Sequence, residues 1–221
     1  MKNKVYTSVD EIVADVPEGA SLLFGGFGGA GFPNNLIRAL ARKGTRNLTA
    51  ISNNCGSGEN ELGILFKNKQ IRKVHASFPG PTANYFQDCY AAGEIELELM
   101  AQGVLCERLR AQAAGIPAFF TTVGVGTEVA QGKEERVIAG KRCIMETALG
   151  ADFAFIKAWK ADSIGNLIYR KAARNFNPLM AAAAETTIVE VDEIVEVGAL
   201  DPEVIITPSI FVDRIVQAPG R

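Results

Sequence analysis

The chain has 221 residues, 48% hydrophobic and 22% charged, enough apolar material for one domain spanning 1–221 with a substantial buried core. Its 25 acidic and 23 basic residues leave a formal charge of −2 with no long Lys/Arg run, which argues against nucleic acid as a partner. No apolar run approaches the roughly 18 residues of a membrane span, and Met1-Lys2-Asn3-Lys4-Val5-Tyr6 lacks the apolar core of a signal peptide, so no membrane role and a cytoplasmic location are expected.

In chain order, Ser8-Val9-Asp10-Glu11 has the form of a capping box and predicts a short helix. Pro17-Glu18-Gly19 is a turn, and Ala20 to Gly25 reads as a buried strand. That strand runs into five glycines within seven positions, Gly25-Gly26-Phe27-Gly28-Gly29-Ala30-Gly31, whose backbone must bend sharply and lie close to something. Pro33 suits the first turn of a helix in which Leu36, Ile37 and Leu40 share one face and which Gly44 closes. Strand, glycine loop and helix start together offer main-chain N–H groups to a ligand. Asn47 to Ser52 is the next strand, ending in Asn53-Asn54-Cys55-Gly56. Ile71 to Ser77 is another, followed by a Phe78-Pro79-Gly80-Pro81 loop and a helix from Ala83 to Ala92.

Glu94 to Met100 alternates charged and apolar residues, the period of a half-buried strand. Gln102-Gly103 follows it, and then a helix from about Val104 to Ala114. Val123 to Ile144 is glycine-rich, then short and β-like, and is expected to form a small lobe or flap. Asp152 to Trp159 is an apolar strand, and Asp162 to Asn166 is a turn into a short strand, Leu167 to Tyr169. Asn177-Pro178 is placed to cap and begin a helix through Ala184, with the four alanines from Ala181 read as tight helix packing. Thr186 to Val191 is the last strong strand. Strands alternating with helices, without repeat or linker, predict an α/β fold with an open, mostly parallel sheet and flanking helices.

Cys55, Cys89, Cys106 and Cys143 are widely spaced and form no C-x-x-C unit, which argues against a disulfide framework or a zinc site. With His75 as the single histidine, a histidine-based metal site is all but excluded. Cys55 and His75 are a conceivable nucleophile–base pair, but a small apolar cysteine and a structural imidazole are the favoured account. Gly26-Phe27-Gly28-Gly29-Ala30-Gly31 satisfies G-x-G-x-x-G after a strand and before a helix, as in dinucleotide-binding domains. Such a domain also needs an acid about 20 residues on, at the tip of the second strand. Here that tip is Ser52-Asn53-Asn54, which makes a nicotinamide-dependent oxidoreductase the weaker alternative.

The loop and its run-in resemble the signature of family I coenzyme A transferases: a polar residue and glycine, two variable positions, three apolar residues, then G-G-F-x-x-x-G-x-P. The match runs from Gly19 through Pro33, with Glu18 where the family has Asp or Asn. Ser52-Asn53-Asn54-Cys55-Gly56 is similar to the family's Asn-Asn loop. Ala101-Gln102-Gly103-Val104-Leu105-Cys106-Glu107-Arg108-Leu109-Arg110-Ala111 is similar to its P-Q-G-T-L-x-E-R-I-R-A segment, with Ala101 replacing Pro. Phe155 to Asp162, Gly165-Asn166-Leu167 and Tyr169 to Pro178 resemble its late strand, turn and R-K-x-A-R-N-F-N block. The chain is most similar to the family's A (alpha) subunits, over essentially its whole length.

The resemblance implies a ping-pong transfer of CoA between acyl-CoA and carboxylic acid, with no metal and no tightly bound cofactor, the CoA thioester being a substrate. A glutamate of the B (beta) subunit would attack the thioester, and the anhydride so formed would pass to a glutamyl-CoA thioester. It implies an A2B2 heterotetramer acting on succinyl-CoA and a 3-oxoacid such as acetoacetate, with 3-oxoadipate or acetate transfer as alternatives; a non-catalytic domain that kept the fold is a further one. On the residues themselves, Gln102 follows a strand end and carries a neutral donor, and the resemblance implies that it lines the oxyanion site. Asn53 and Asn54 are candidates to hold a carboxylate or carbonyl, with a plain Asx turn as the alternative. The resemblance implies that Gly25, Gly26, Phe27, Gly28, Gly29, Ala30 and Gly31 shape the substrate site. Gly58-Glu59-Asn60-Glu61 only partly echoes the family's E-N-G nucleophile motif, with Glu61 in place of glycine, so Glu59 is read as a surface or helix-start acid. Arg170, Lys171, Arg174 and Asn175 are a basic, amide-bearing stretch facing acidic substrates, a partner or solvent.

Overall fold

The computed structural model describes residues 3–217; Met1 and Lys2, in the segment expected to lack a signal peptide, lie outside it. Its elements are β1 (Val5–Tyr6), α1 (Val9–Ile12), β2 (Ser21–Phe24), α2 (Asn34–Lys43), β3 (Leu48–Ser52), α3 (Gly63–Lys67), β4 (Ile71–Ala76), α4 (Asn84–Ala91), β5 (Glu96–Leu99), α5 (Gln102–Ala113), β6 (Ala118–Thr121), β7 (Glu135–Ile138), β8 (Lys141–Thr147), β9 (Ala151–Asp162), β10 (Leu167–Ile168), α6 (Asn177–Ala181), β11 (Ala184–Val195) and β12 (Arg214–Gln217).

Nine strands form one sheet in the order β1-β12-β11-β9-β2-β3-β4-β5, with β10 paired to β9. Every pairing along that order is parallel, and only β10 runs antiparallel. The side chains of β2 alternate between two cores. Leu22 and Phe24 pack with Leu36, Ile37 and Leu40 of α2 and Phe66 of α3, whereas Leu23 packs with Leu105 and Leu109 of α5 and Met180 of α6. On β9, Phe153 and Phe155 enter the first core and Ala154 and Ile156 the second. Helices on both faces explain why these strands read as unbroken apolar runs. From β2 the chain steps outward through β3, β4 and β5, while β9 adds on the other side of β2. The order therefore reverses at β2, and the crevice beyond the strand C-termini at such a reversal is where open α/β sheets bind ligands.

The lobe forecast at 123–144 is a separate antiparallel sheet in the order β6-β8-β7, which begins earlier, at Ala118, and ends later, at Thr147. Other boundaries also move. Gln102 is the first residue of α5 rather than a loop residue ahead of it, because extended Ala101 (φ −63°, ψ 139°) is the cap. Pro33 caps α2 from outside, and the helix opens at Asn34. α6 ends at Ala181 and β11 starts at Ala184, so the alanine run is a helix end and strand start. Asn177 opens α6 without capping it by its side chain. Ser8 does cap α1, accepting from the N–H groups of Asp10 and Glu11 at 3.2 and 3.4 Å. No helix among the described residues is long and apolar enough to cross a membrane.

Candidate functional site

A cavity of about 630 Å³ opens where the loops after β2, β3, β4 and β5 meet. Each loop contributes to its wall: Phe27, Gly28 and Gly29 after β2; Asn53 and Asn54 after β3; Ser77 and Phe78 after β4; Gln102 after β5.

The glycine loop makes the first wall with a tight hairpin. Phe27 and Ala30 exchange two main-chain hydrogen bonds, both 2.9 Å. Gly28 and Gly29 between them have φ of +55° and +87°, the positive pair that a type I′ turn requires. The remaining residues of the loop do not line the cavity. A Cβ on Gly25 would lie 1.8 Å from Asn177 Oδ1, one on Gly26 2.4 Å from the Phe32 ring, and one on Gly31 2.7 Å from the Ala173 carbonyl oxygen. These glycines let other segments approach the loop from behind. Asn177, wholly buried, accepts from Lys157 N–H at 2.9 Å and donates to the carbonyls of Gly31 and Ala173 at 3.0 and 2.8 Å. Asn175 donates to the carbonyls of Ala30 and Ala172. Phe176, between them, stacks on Phe27 with ring centroids 6.5 Å apart. Of the basic stretch, Asn175 therefore braces the loop, while Arg170 lies over the Trp159 ring, and none of Arg170, Lys171 and Arg174 lines the cavity.

The start of α2 is already occupied. Glu190, buried on β11, accepts from the N–H groups of Asn35 and Leu36 at 2.8 and 3.3 Å and from Asn35 Nδ2 at 2.9 Å. Lys157 balances its charge at 3.3 Å. The chain thus fills the anion-binding helix end that a dinucleotide pyrophosphate uses. Of the main-chain donors forecast for strand, loop and helix start, those of Asn35 and Leu36 are thus taken up within the chain, while the hairpin of the glycine loop stays on the cavity wall.

The amides form a short relay. Asn53 Nδ2 donates to Ser77 Oγ at 2.8 Å and to Gln102 Oε1 at 3.3 Å. With its oxygen held, the Gln102 NH2 has no acceptor among the described residues and remains a donor at the cavity wall. Asn54 makes the plain Asx turn, its Oδ1 accepting from Gly56 N–H at 3.1 Å, and also borders the cavity.

Cys55 is fully buried, which pushes its thiol up to about 12, so no thiolate is available near neutral pH. His75 sits with Glu98 instead, Nδ1 lying 3.1 Å from Oε2 but off the line of a well-formed hydrogen bond. His75, and after it Arg108 at 2.8 Å, hold the Glu98 carboxyl well below the usual carboxylate range. Glu59 is exposed, pairs with Lys67, and faces a groove beside Arg38 and Arg42 rather than the cavity. Lys67 lowers its carboxyl. Glu61, two residues on, does line the cavity; burial raises its carboxyl. In the sequence it stands out only as a mismatch in a motif. Among the described residues no group of three or more His, Cys, Asp or Glu is placed to hold a metal ion.

The Coenzyme A transferase family profile matches residues 6–218. The chain is 52% identical over 221 residues to the A subunit of 3-oxoadipate CoA-transferase from Pseudomonas putida, covering 100% of this chain and 96% of that one. It is 47% identical over 218 residues to the A subunit of a probable succinyl-CoA:3-ketoacid coenzyme A transferase from Bacillus subtilis (strain 168), covering 99% and 91%. The crystal structure of glutaconate coenzyme A-transferase from Acidaminococcus fermentans shares the fold, with a TM-score of 0.82 at 23% identity over 98% of this chain and 76% of that one.

Proposed function

Because the chain belongs to the coenzyme A transferase family, we propose that it is the A subunit of an acyl-CoA:carboxylate CoA-transferase that moves CoA between succinyl-CoA and a 3-oxoacid such as acetoacetate. The observation that carries this is Gln102: an uncharged donor at the C-terminal end of parallel strands, its carbonyl held by Asn53 so that its NH2 is left to meet a substrate oxygen. When a carboxylate attacks a thioester, the carbonyl oxygen gains negative charge. A fixed neutral donor stabilises that charge without binding the ground state as strongly. Asn53 acts through Gln102, setting the plane of its amide. The Phe27–Gly29 hairpin and Phe78 supply apolar and main-chain wall for the acyl part.

The nucleophilic glutamate belongs to a B subunit, with A2B2 as the proposed assembly. Its carboxylate attacks the thioester carbonyl and expels CoA thiolate, leaving an acyl–glutamyl anhydride. The thiolate attacks the glutamyl carbonyl of the anhydride and releases the first acid, and a second acid collects CoA by the reverse steps. Within this chain Glu59 is exposed and ion-paired, a poor nucleophile. The test is reconstitution. The purified chain alone is expected to give no CoA exchange, and addition of the B subunit to give exchange with parallel double-reciprocal lines. Turnover by the pure chain, or none by the mixture with any acid, overturns the proposal.

A further inference from the structure

Asn53 uses both hydrogens of its NH2 group at the cavity wall, one on Ser77 Oγ at 2.8 Å and one on Gln102 Oε1 at 3.3 Å. The bond to Gln102 leaves an amide donor facing the cavity. The bond to Ser77 does the same for a hydroxyl. Ser77 is half-buried and lines the cavity, and its Oγ already accepts from Asn53. Its own O–H has no acceptor among the described residues, so that hydrogen is left for whatever enters. The main chain holds the hydroxyl in place. The Asn53 carbonyl accepts from the N–H groups of Ser77 and Phe78 at 3.3 and 2.9 Å, which ties the end of β3 to the end of β4. Ser57 and Thr82 also line the cavity, but among the described residues neither bonds to Asn53 or Gln102.

The two donors are set by one side chain, yet they are not equivalent. Gln102 is the first residue of the 12-residue α5, where the positive end of the helix favours an oxygen that gains negative charge. Ser77 follows β4, one strand along from β5, and stands at no helix start. Both contact a single nitrogen, so a short acyl chain can present one oxygen to each.

We infer that Ser77 is a specificity-determining residue whose hydroxyl donates to the C3 oxygen of a 3-oxoacid while Gln102 receives the oxygen on C1. This rests on the CoA-transferase proposal above. The two oxygens are borne two carbons apart, which suits two donors tied to one nitrogen. The same hydroxyl serves succinyl-CoA, whose distal carboxylate carries an oxygen one carbon further along. An uncharged hydroxyl donates to a ketone or a carboxylate oxygen alike, whereas a cation would favour the carboxylate; no Lys, Arg or His lines the cavity. The carboxylate of Glu61 stands over the hairpin after β2, its Oε1 3.3 Å from where a Cβ on Gly29 would be, and β3 separates β2 from β4. An acid with no oxygen on C3 would leave the Ser77 donor unpaired in a partly desolvated space, and the site discriminates against it for that reason.

The experiment uses the assembled A–B enzyme with succinyl-CoA as the common donor and compares acetoacetate with butyrate, which differ only in the C3 oxygen. In a ping-pong reaction kcat/KM for the acceptor depends only on the enzyme–CoA form, so any effect of the donor cancels in the ratio of two acceptors. The wild-type enzyme is expected to favour acetoacetate. Ser77→Ala should lower kcat/KM for acetoacetate by about fivefold to tenfold, the worth of one uncharged hydrogen bond, and leave butyrate nearly unchanged. Ser77→Thr, which keeps the hydroxyl, should hold the ratio near the wild-type value. Equal losses with both acids in Ser77→Ala would mean that Ser77 merely steadies Asn53 and Gln102, and would overturn the inference. A ratio unchanged within twofold, or a wild-type enzyme that does not favour acetoacetate, overturns it as well and leaves the CoA-transferase proposal standing. Absence of transfer to every acid in the wild-type enzyme overturns both.

Discussion

Gly25→Ala is the sharpest test of how the glycine loop is held. Gly25 is not in the left-handed region, so alanine can adopt its backbone and the substitution tests contact alone. The new Cβ would stand 1.8 Å from Asn177 Oδ1 and 2.6 Å from its Cγ. Asn177 is 0% exposed and must move. Moving it breaks the bond from Lys157 N–H and the bonds to the Gly31 and Ala173 carbonyls, leaving three main-chain groups without this partner. At about 1–3 kcal/mol for each buried group left unpaired, and with some relaxation, the expected loss is about 3–5 kcal/mol. Asn177→Ala removes the same bonds and should lose a similar amount. The double variant is the informative one, because Asn177→Ala vacates the space that the Gly25→Ala methyl needs. Its loss should match that of Asn177→Ala alone, giving a coupling equal in size to the Gly25→Ala loss, about 3–5 kcal/mol, in the cycle. Urea unfolding followed by far-UV circular dichroism measures all four proteins, with equal m values as the condition for comparison. Losses that simply add, within about 0.5 kcal/mol, would refute the idea that Gly25 is glycine to admit Asn177.

Gln102→Leu in the assembled enzyme should lower kcat by far more than it raises KM, with a ceiling on the order of 10²–10³ for one donor to a developing oxyanion; steady-state kinetics checks this, and a change below about threefold removes Gln102 from the chemistry. Borohydride reduction after incubation with acyl-CoA should mark the B chain only, and Glu59→Gln should keep most activity; a reduced glutamyl adduct on the peptide carrying Ser57-Gly58-Glu59-Asn60-Glu61 would place the nucleophile in this chain instead. Glu98 has a depressed folded pKa, so its contribution is present above the unfolded carboxylate value of about 4.3 and is lost as pH falls toward the folded one. Thermal scans should therefore show a gentler loss of Tm between about pH 5 and pH 3 in Glu98→Gln than in the wild type, modest because Glu98 is partly solvated; parallel curves would remove it from the acid limb.

Much of the frame is legible in the sequence because its signals are local. An apolar run, a glycine cluster, a proline and an amphipathic stretch mark β2, the loop and α2 without reference to the rest of the chain. Gln102 is legible in the same way, as a donor just past an alternating strand. Glu61 is not, because its position depends on the mutual approach of Gly56 and Gly63, a contact between main-chain atoms that leaves no residue pattern. Asn177 reads as a cap because an Asn-Pro pair before an apolar stretch carries that local meaning; of its three main-chain partners, Lys157 and Gly31 are 20 and 146 residues away, and only Ala173 is near in the chain. β12 escapes a sequence reading for a related reason. Four residues are too few to announce a strand, and it exists as one because β1 and β11 flank it.

The carboxylate of Glu190 has a consequence for what this scaffold can become. A glycine-rich turn feeding a helix is a common starting point for nucleotide recognition, and refashioning the loop alone would look like a short route to it. Here the position an incoming phosphate would take is held by the chain's own acid, joined to Asn35, Leu36 and Lys157. Deleting that acid to make room would strand Lys157 beside Asp192 as its remaining counter-ion and uncap α2 in the same step. An intermediate sequence, with the acid gone and no ligand yet bound, would be less stable than either end point. Nucleotide recognition at this helix end would therefore ask for a compensating change at Lys157 as well as a new loop.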